Sequence, residues 1–319
     1  MNHSAQPYQF GIDFSTVPSI PENAADLPAY YTSFKNLLKL ERDKIKQFHR
    51  AGAGGREVVQ AHTSLIDAVL RHIISSLASR EKSPAPEALL EEFALIAVGG
   101  YGRGELNPFS DIDLLFLRPK NIRRTTDLLI QDAIPTFWGM GLEVGQSCRT
   151  LRECLDLAEQ ELTIKTSMIE TRFLIGDSSK YEKFSQSIEK NILRKNIKEF
   201  IDAKAREKAL RYEEGIGPGS NPEPNIKEGA GGLRDYHSAL WAVAVRFGCL
   251  SFREIPRTDI ISAEPASRSR RIGHRDKSAA GPLNRAVLVS APLRHPTRWS
   301  PVDEHVPTLW PPRDPTPCR

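Results

Sequence analysis

Apolar residues recur at three- and four-residue spacing in two long stretches near the N-terminus. The recurring positions are Leu27, Tyr30, Tyr31, Phe34, Leu37 and Leu38 in the first stretch, and Val58, Val59, His62, Leu65, Ile66, Val69, Leu70 and Ile73 in the second. This spacing gathers side chains on one face of an α-helix. The pattern predicts two amphipathic helices within residues 22–90 that cover the core of their own domain, with a coiled-coil or partner-binding stripe as the alternative. Residues 1–21 are polar and predict a flexible arm.

A proline-containing break, SPAPE at residues 83–87, is followed by a pattern typical of a small sheet. A short helix, a strand over 93–98, the strand DIDLLFL, a helix over 122–139 and a returning strand LEVGQS are predicted in that order. These elements define an α+β domain over residues 91–150.

Residues 151–254 predict a helical lobe. Helical periodicity runs from 150 to 214, where the segment IETRFLIGD is predicted to end one helix at Gly176 and to start another at Asp177. A long loop rich in Gly, Pro and Asn then leads into the helix LRDYHSALWAVAVRF. Long structured loops often line sites, so Lys227, Arg234 and Asp235 are candidate contacts to the nucleotide; a surface helix cap is the alternative and explains them nearly as well.

The composition changes abruptly over residues 255–319. This segment holds 11 of the 23 prolines, lacks Phe and Tyr, and shows no sustained period. It cannot bury enough apolar surface to offset the entropy lost on ordering, so we expect a disordered Pro/Arg-rich tail. One hypothesis is that this tail is translated out of frame, which resequencing of the locus would test; a genuine interaction tail is the alternative.

Charge and cysteine usage exclude several classes of protein. Residues 255–319 hold 11 Lys and Arg against 6 Asp and Glu, which leaves 33 against 34 for residues 1–254, so the formal charge of +4 comes from the tail and the rest of the chain is near neutral. A basic stripe for nucleic acid is therefore not expected in the body of the protein. The four cysteines show no metal-binding spacing and predict free thiols. The N-terminus lacks a signal pattern and no apolar run reaches a membrane-spanning length, so a soluble, cytoplasmic protein is expected.

Two carboxylates, Asp111 and Asp113, lie two residues apart on a predicted strand. Because side chains alternate across a strand, both acids share one face. Two such charges about 4 Å apart repel by roughly 4 kcal/mol at an effective dielectric of about 20. A divalent cation bound between the two carboxylates replaces this repulsion with attraction. Mg²⁺ is commonly held by one or two carboxylates together with substrate phosphates. Taken alone, two acids at an exposed strand end are common; together with the glycines that precede them, they predict a magnesium and polyphosphate site.

A glycine-rich turn, with Gly99, Gly100, Gly102 and Gly104, precedes these acids. Backbone without side-chain crowding can approach phosphate oxygens closely. A tight strand-to-helix connection explains the glycines equally well when they are taken alone. The position of these glycines, about ten residues before the paired acids, favours phosphate binding.

The spacing of Val98, Gly99, Gly100, Asp111, Ile112 and Asp113 resembles the motif of the nucleotidyltransferase superfamily. Four ordered blocks are similar to the bacterial PII-protein uridylyltransferase family. The blocks are VGGYGRGELNPFSDIDLLFL, LEVGQSCRTLRECL, IETRFLIGD and PNIKEGAGGLRDYHSALW. The resemblance spans roughly residues 30–250 and stops near Phe252. Family members are longer, with a hydrolase domain and glutamine-sensing domains that have no counterpart here.

The resemblance implies a polymerase-beta-like fold and transfer of UMP from UTP to a tyrosine hydroxyl of the signalling protein PII. It implies two Mg²⁺ ions bound by Asp111 and Asp113, with Glu143 as a third carboxylate that completes the second metal or accepts the proton. Gly99 and Gly100 are expected to hold phosphate oxygens.

Three further side chains have expected or alternative roles. Arg103 is expected to neutralise the charge on departing pyrophosphate. Ser110 either reaches a phosphate or closes a turn, and the turn is favoured. Glu143 could equally be an ordinary solvent-facing acid. The alternatives for the whole chain are a transferase with another nucleotide or acceptor, and an inactive truncated fragment that serves as a binding module. The sequence leaves the oligomeric state open.

Overall fold

A computed structural model describes residues 12–80, 85–213 and 225–248. These residues divide into two compact units, one comprising the described residues up to 203 with 244–248 and the other comprising 204–213 with 225–243. The helices are α1 (Leu27–Arg50), α2 (Gly55–Arg80), α3 (Pro86–Leu90), α4 (Gly99–Gly102), α5 (Arg124–Gly139), α6 (Leu151–Gln160), α7 (Leu162–Ile169), α8 (Ser178–Ile188), α9 (Ile197–Glu213) and α10 (Leu233–Phe247). The predicted arm before Ile12 and the predicted tail lie outside the described residues.

A four-stranded mixed sheet forms the centre of the first unit. Its strands are β1 (Ala94–Val98), β2 (Ile112–Leu117), β3 (Val144–Arg149) and β4 (Thr171–Gly176), in the order β3-β2-β1-β4. Strand β1 is antiparallel to β2 and to β4, whereas β2 and β3 are parallel. The α+β class expected from the sequence is confirmed.

Helices cover both faces of this sheet, because the central strands alternate two sets of apolar residues. Leu95, Ala97, Leu114 and Phe116 pack in a cluster with the buried residues of α1, α2 and α5. Ile96 and Leu115 belong to a second cluster with residues of α6, α7 and α8. The long N-terminal helices thus contribute to the main core, as the sequence predicted.

The prediction of an all-helical region after residue 150 is wrong at Thr171–Gly176, which form β4. The segment was predicted to be a helix end capped by Gly176. That glycine has φ +107°, and a Cβ there would lie 2.3 Å from the Phe93 carbonyl oxygen, so it closes a strand against β1. The predicted helix start at Asp177 is confirmed, since its side chain accepts a hydrogen bond of 2.8 Å from the Ser179 amide.

The described residues include two of the four cysteines. Cys148 and Cys154 are free thiols, and burial raises the pKa of Cys154 to about 12. Cys249 and Cys318 lie outside the described residues. Within the described ranges, no helix combines the length and apolar character needed to cross a membrane.

Candidate active site

One edge of the sheet collects the carboxyl end of β1 and the amino ends of the other three strands. This follows from the pairing, since β2 and β4 run antiparallel to β1 and β3 runs parallel to β2. The segments that meet there carry, from one side to the other, Glu143 before β3, Asp111 before β2, Gly99 after β1 and Glu170 before β4. The predicted acids and the glycine turn therefore share this edge.

Three acids alternate with buried residues where two neighbouring strands begin, with Asp111 and Glu143 directly before β2 and β3 and Asp113 within β2. Ile112 is buried and aligned with buried Val144, and the Ile112 amide donates to the Glu143 carbonyl at 2.8 Å. The alternating positions Asp111, Asp113 and Glu143 are exposed. Glu143 directly precedes β3 rather than lying within it.

The Asp113 carboxylate lies over two glycines. A Cβ on Gly99 would lie 3.7 Å from Asp113 Oδ2, and a Cβ on Gly145, its register partner on β3, would lie 2.6 Å from Oδ1. Only glycine at residue 145 leaves the carboxylate in place. Sequence reasoning missed Gly145, although its position two residues after Glu143 puts it on the same strand face.

The glycine turn is folded into the single helical turn α4. Gly99 has φ +62°, which favours glycine, and the Arg103 amide donates to the Gly99 carbonyl at 3.0 Å. At Gly102 a Cβ would lie 2.0 Å from the Glu170 carbonyl oxygen, so this turn packs directly on the start of β4. The first amides of a helical turn have no partner within it and can face a ligand.

The Arg103 guanidinium is held by two carboxylates. Its Nε donates to Glu105 at 2.7 Å, and its Nη1 donates to the buried side chain of Glu170. Ser110 is exposed, and its amide donates to the Asn107 carbonyl at 3.1 Å, which closes the turn ahead of Asp111.

A buried carboxylate, Asp67 on α2, holds the glycine turn through hydrogen bonds that involve Tyr101 and Arg172. Its carboxylate accepts a hydrogen bond of 2.6 Å from the Tyr101 hydroxyl. It also accepts hydrogen bonds of 2.5 Å and 3.0 Å from the two terminal nitrogens of Arg172 on β4. Arg172 Nη2 also donates to the Tyr101 carbonyl at 3.2 Å. Burial, followed by the Asp67 charge, raises the pKa of Tyr101 well above its ordinary value. Burial alone would lower the pKa of Arg172, but its bonds to Asp67 outweigh that effect and raise it.

Near Glu143, at the β3 end of the site, the neighbouring charge is the cation Arg42. Burial lowers the pKa of Arg42 on α1, and the charge of Glu143 partly offsets the decrease. Burial, then the Arg42 charge, lowers the pKa of His62 to about 4, so His62 is neutral at pH 7. Glu143 thus interacts electrostatically with a cation from the N-terminal helices.

The remaining candidates, Lys227 and Arg234, lie in the second unit. Arg234 pairs with Glu228 at 3.0 Å, and Lys227 is exposed. Asp235 accepts from the Tyr212 hydroxyl, from Arg211 and, at 2.8 Å, from the Gly231 amide. This network connects the start of α10, which carries Arg234, to α9 and to the loop that carries Lys227.

The fold and the paired acids define a nucleotidyltransferase-type domain, and comparison with family models agrees. Residues 86–174 match the family described as nucleotidyltransferase domain. Residues 199–273 match the family described as GlnD PII-uridylyltransferase. The chain therefore combines a nucleotidyltransferase domain with a region of the GlnD PII-uridylyltransferase family. The expectation that the resemblance stops near Phe252 is wrong, because the second match extends to residue 273.

Curated relatives are similar over most of this chain but are far longer. A bifunctional uridylyltransferase/uridylyl-removing enzyme of Rhodospirillum rubrum is 33% identical over 226 residues, which are 70% of this chain and 24% of the relative. Enzymes with the same name from Cereibacter sphaeroides and Phenylobacterium zucineum are each 36% identical, covering 58% and 65% of this chain and 20% and 22% of the relatives. The chain spans at most a quarter of these proteins.

Proposed function

We propose that this chain transfers UMP from UTP to a tyrosine hydroxyl of the PII signalling protein, with Mg²⁺ as cofactor and release of pyrophosphate. The observation that carries the proposal is the pair Asp111 and Asp113 on one strand face, with Asp113 directly over Gly99. The membership of the matched segments in the GlnD family supports UTP and PII as substrates. Nucleic acid and membrane are not proposed as partners.

The donor set suits magnesium. Asp111 and Asp113 offer exposed carboxylate oxygens, the ligands that Mg²⁺ prefers, and this ion keeps several water ligands and shares substrate phosphates. Among the described residues, no three His, Cys, Asp or Glu side chains converge into a ready metal cluster. Asp111 and Asp113 would hold the metal ions together with substrate phosphates and water. Bound Mg²⁺ would neutralise phosphate charge and lower the pKa of the acceptor hydroxyl.

The protein side chains would bind and orient the reacting groups. The tyrosine oxygen forms a bond to the α phosphorus while the bond to the β-phosphate oxygen breaks, and pyrophosphate departs on the opposite side. Glu143 would either complete the second metal site or take the hydroxyl proton. Gly99, Gly100 and neighbouring amides hold the β and γ oxygens.

Arg103 and Ser110 support the same step. Arg103 is close enough to the turn that a Cβ on Gly100 would lie 3.5 Å from its Nη2. It would exchange the exposed Glu105 carboxylate for a pyrophosphate oxygen, because Glu105 is the more solvent-accessible of its two partners. Ser110 closes the turn that precedes Asp111. Lys227 and Arg234 are proposed as further nucleotide-binding residues.

The proposal is tested by incubating the full chain with Mg²⁺, a bacterial PII protein and each of the four labelled ribonucleoside triphosphates in turn. We expect label on PII from UTP alone. Label from another nucleotide would favour the alternative of a different transferase. Absence of transfer, combined with no thermal stabilisation by UTP and Mg²⁺, would contradict the proposal, because a ligand that binds the folded state raises the melting temperature.

Gly145→Ala is expected to lower kcat for UMP transfer by about tenfold to a hundredfold, with a small change in stability. The added Cβ would meet Asp113 Oδ1 at 2.6 Å, and the end of an exposed side chain moves away more easily than backbone. A displacement of about 1 Å at a reacting centre has effects of this size. The measurements are steady-state kinetics and a melting curve. Gly55→Ala is the matched control, since nothing lies within 4 Å of a Cβ there; equal activity of both variants would contradict the role given to Gly145.

A further inference from the structure

The outward face of α1 carries a row of cations. The row consists of Lys35, Lys39, Arg42 and Lys46. Residues at this spacing lie above one another along a helix, and the row extends about 16 Å from end to end. The three lysines are exposed and Arg42 is half-buried.

These cations line a cavity of about 310 Å³ whose remaining lining is mainly apolar. Leu38 and Met140 are buried and form part of its wall. A single acid, Asp43, belongs to the lining, and it pairs with Lys46 at 3.1 Å. Four cations against one acid produce a positive potential, which attracts an anionic ligand over a distance of about a Debye length.

Arg42 connects this cavity to the candidate active site. The charge of Glu143 acts on its guanidinium. Arg42 Nε is buried and has no hydrogen-bond partner among the residues that the structure describes. A buried donor of this kind gains free energy when a ligand supplies an acceptor.

The cavity lies at the β3 side of the sheet edge, where Met140 and Gly141 lead into Glu143. The glycine turn lies on the other side of Asp111, after β1. In an in-line displacement the acceptor and the leaving pyrophosphate occupy opposite sides of the α phosphorus. If the glycine turn holds the phosphates, the acceptor arrives from the β3 side.

We propose that the cationic face of α1 docks an acidic segment of the acceptor protein and so delivers its hydroxyl to the edge beside Glu143. This inference rests on the proposed function, from which it takes the direction of acceptor approach. A row of about 16 Å fits an extended segment of about five residues better than a single phosphate group. Charges at the rim of an interface mainly set the association rate and its dependence on salt.

The test uses the full chain and fluorescently labelled bacterial PII protein. The variant combines Lys35→Glu, Lys39→Glu and Lys46→Glu, and the matched control combines Lys183→Glu, Lys190→Glu and Lys195→Glu, which are exposed positions in α8 and the segment after it. We expect the dissociation constant for PII to rise at least about tenfold in the variant and less than about twofold in the control. A second variant with Gln at the three positions should show a smaller rise.

Thermal stabilisation by UTP and Mg²⁺, measured on the same proteins, separates the two proposals. Stabilisation that is equal in all variants, together with weaker PII binding in the first, supports docking. An unchanged PII affinity, or loss of UTP stabilisation in the α1 variant, would overturn docking, and the second result would assign the row to phosphate. Failure of the unaltered chain to bind PII while UTP still stabilises it would overturn docking and the choice of PII as acceptor, but not nucleotide binding. Failure of UTP to stabilise the unaltered chain counts against the proposed function.

Discussion

Replacing both acids, as Asp111→Asn with Asp113→Asn, is expected to lower Mg²⁺-dependent UMP transfer to PII at least about a thousandfold. An amide keeps the size of the side chain but removes the charge that would hold the metal, and metal stabilisation of transition-state charge amounts to several kcal/mol. Both side chains are exposed, so the fold should persist with a change in unfolding free energy within about 0.5 kcal/mol. Label transfer and a melting curve are the measurements.

A charge-matched control separates loss of the site from a general loss of negative charge. Glu159→Gln with Glu182→Gln removes two exposed acids from α6 and α8. We expect this control to transfer UMP at the rate of the unaltered chain. Retained activity in the double Asp variant would remove the central role of these carboxylates, and the paired acids would then be an ordinary exposed strand end.

The core of the site could be predicted because its geometry is local. Two residues on one strand share a face whatever the strand pairs with, so Asp111 and Asp113 could be assigned from their spacing alone. The two N-terminal helices could be predicted for the same reason, since their apolar periodicity persists over many turns. The turn at Ser110 follows from the local sequence as well.

Strand β4 could not be predicted from local pattern. Its residues are TRFLIG, a short apolar run that a helix end and a strand explain equally well, and Gly followed by Asp is a normal helix boundary signal. The deciding interaction is pairing with β1, about 75 residues earlier in the chain. Tertiary pairing overrode the local preference.

The charged residues around the site were missed for a related reason. Asp67 and Arg172 are 105 residues apart, and Arg42 and Glu143 are separated by a similar length of chain. A lone acid among the apolar positions of α2 could have been noticed, but its partners depend on how the helices pack on the sheet. Sequence spacing therefore revealed the acids that face solvent and not the side chains that hold the site together.

Asp67→Ala is expected to lower the free energy of unfolding by about 3–5 kcal/mol. The side chain of Asp67 is 11% exposed, and its loss leaves the Arg172 guanidinium and the Tyr101 hydroxyl without their acceptor. Removing one partner of a buried ion pair has an effect of this size, and here the partly buried Arg172 guanidinium and the fully buried Tyr101 hydroxyl lose their acceptor together. The glycine turn should loosen as well, since Tyr101 and Arg172 both bind Asp67. Urea unfolding measures the first effect, and KM for UTP in the remaining folded protein measures the second.

Two comparison variants make this expectation specific. Asp67→Asn keeps an acceptor for the Tyr101 hydroxyl but lacks the charge, so its stability should lie between those of the Ala variant and the unaltered chain. Asp132→Ala removes an acid that is 58% exposed and only 4.0 Å from Arg80, and it should change stability by less than about 1 kcal/mol. If Asp67→Ala unfolds at the same urea concentration as Asp132→Ala, the Asp67 cluster does not stabilise the fold. The glycine turn would then depend on its own backbone geometry and on the close packing of Gly102 against Glu170.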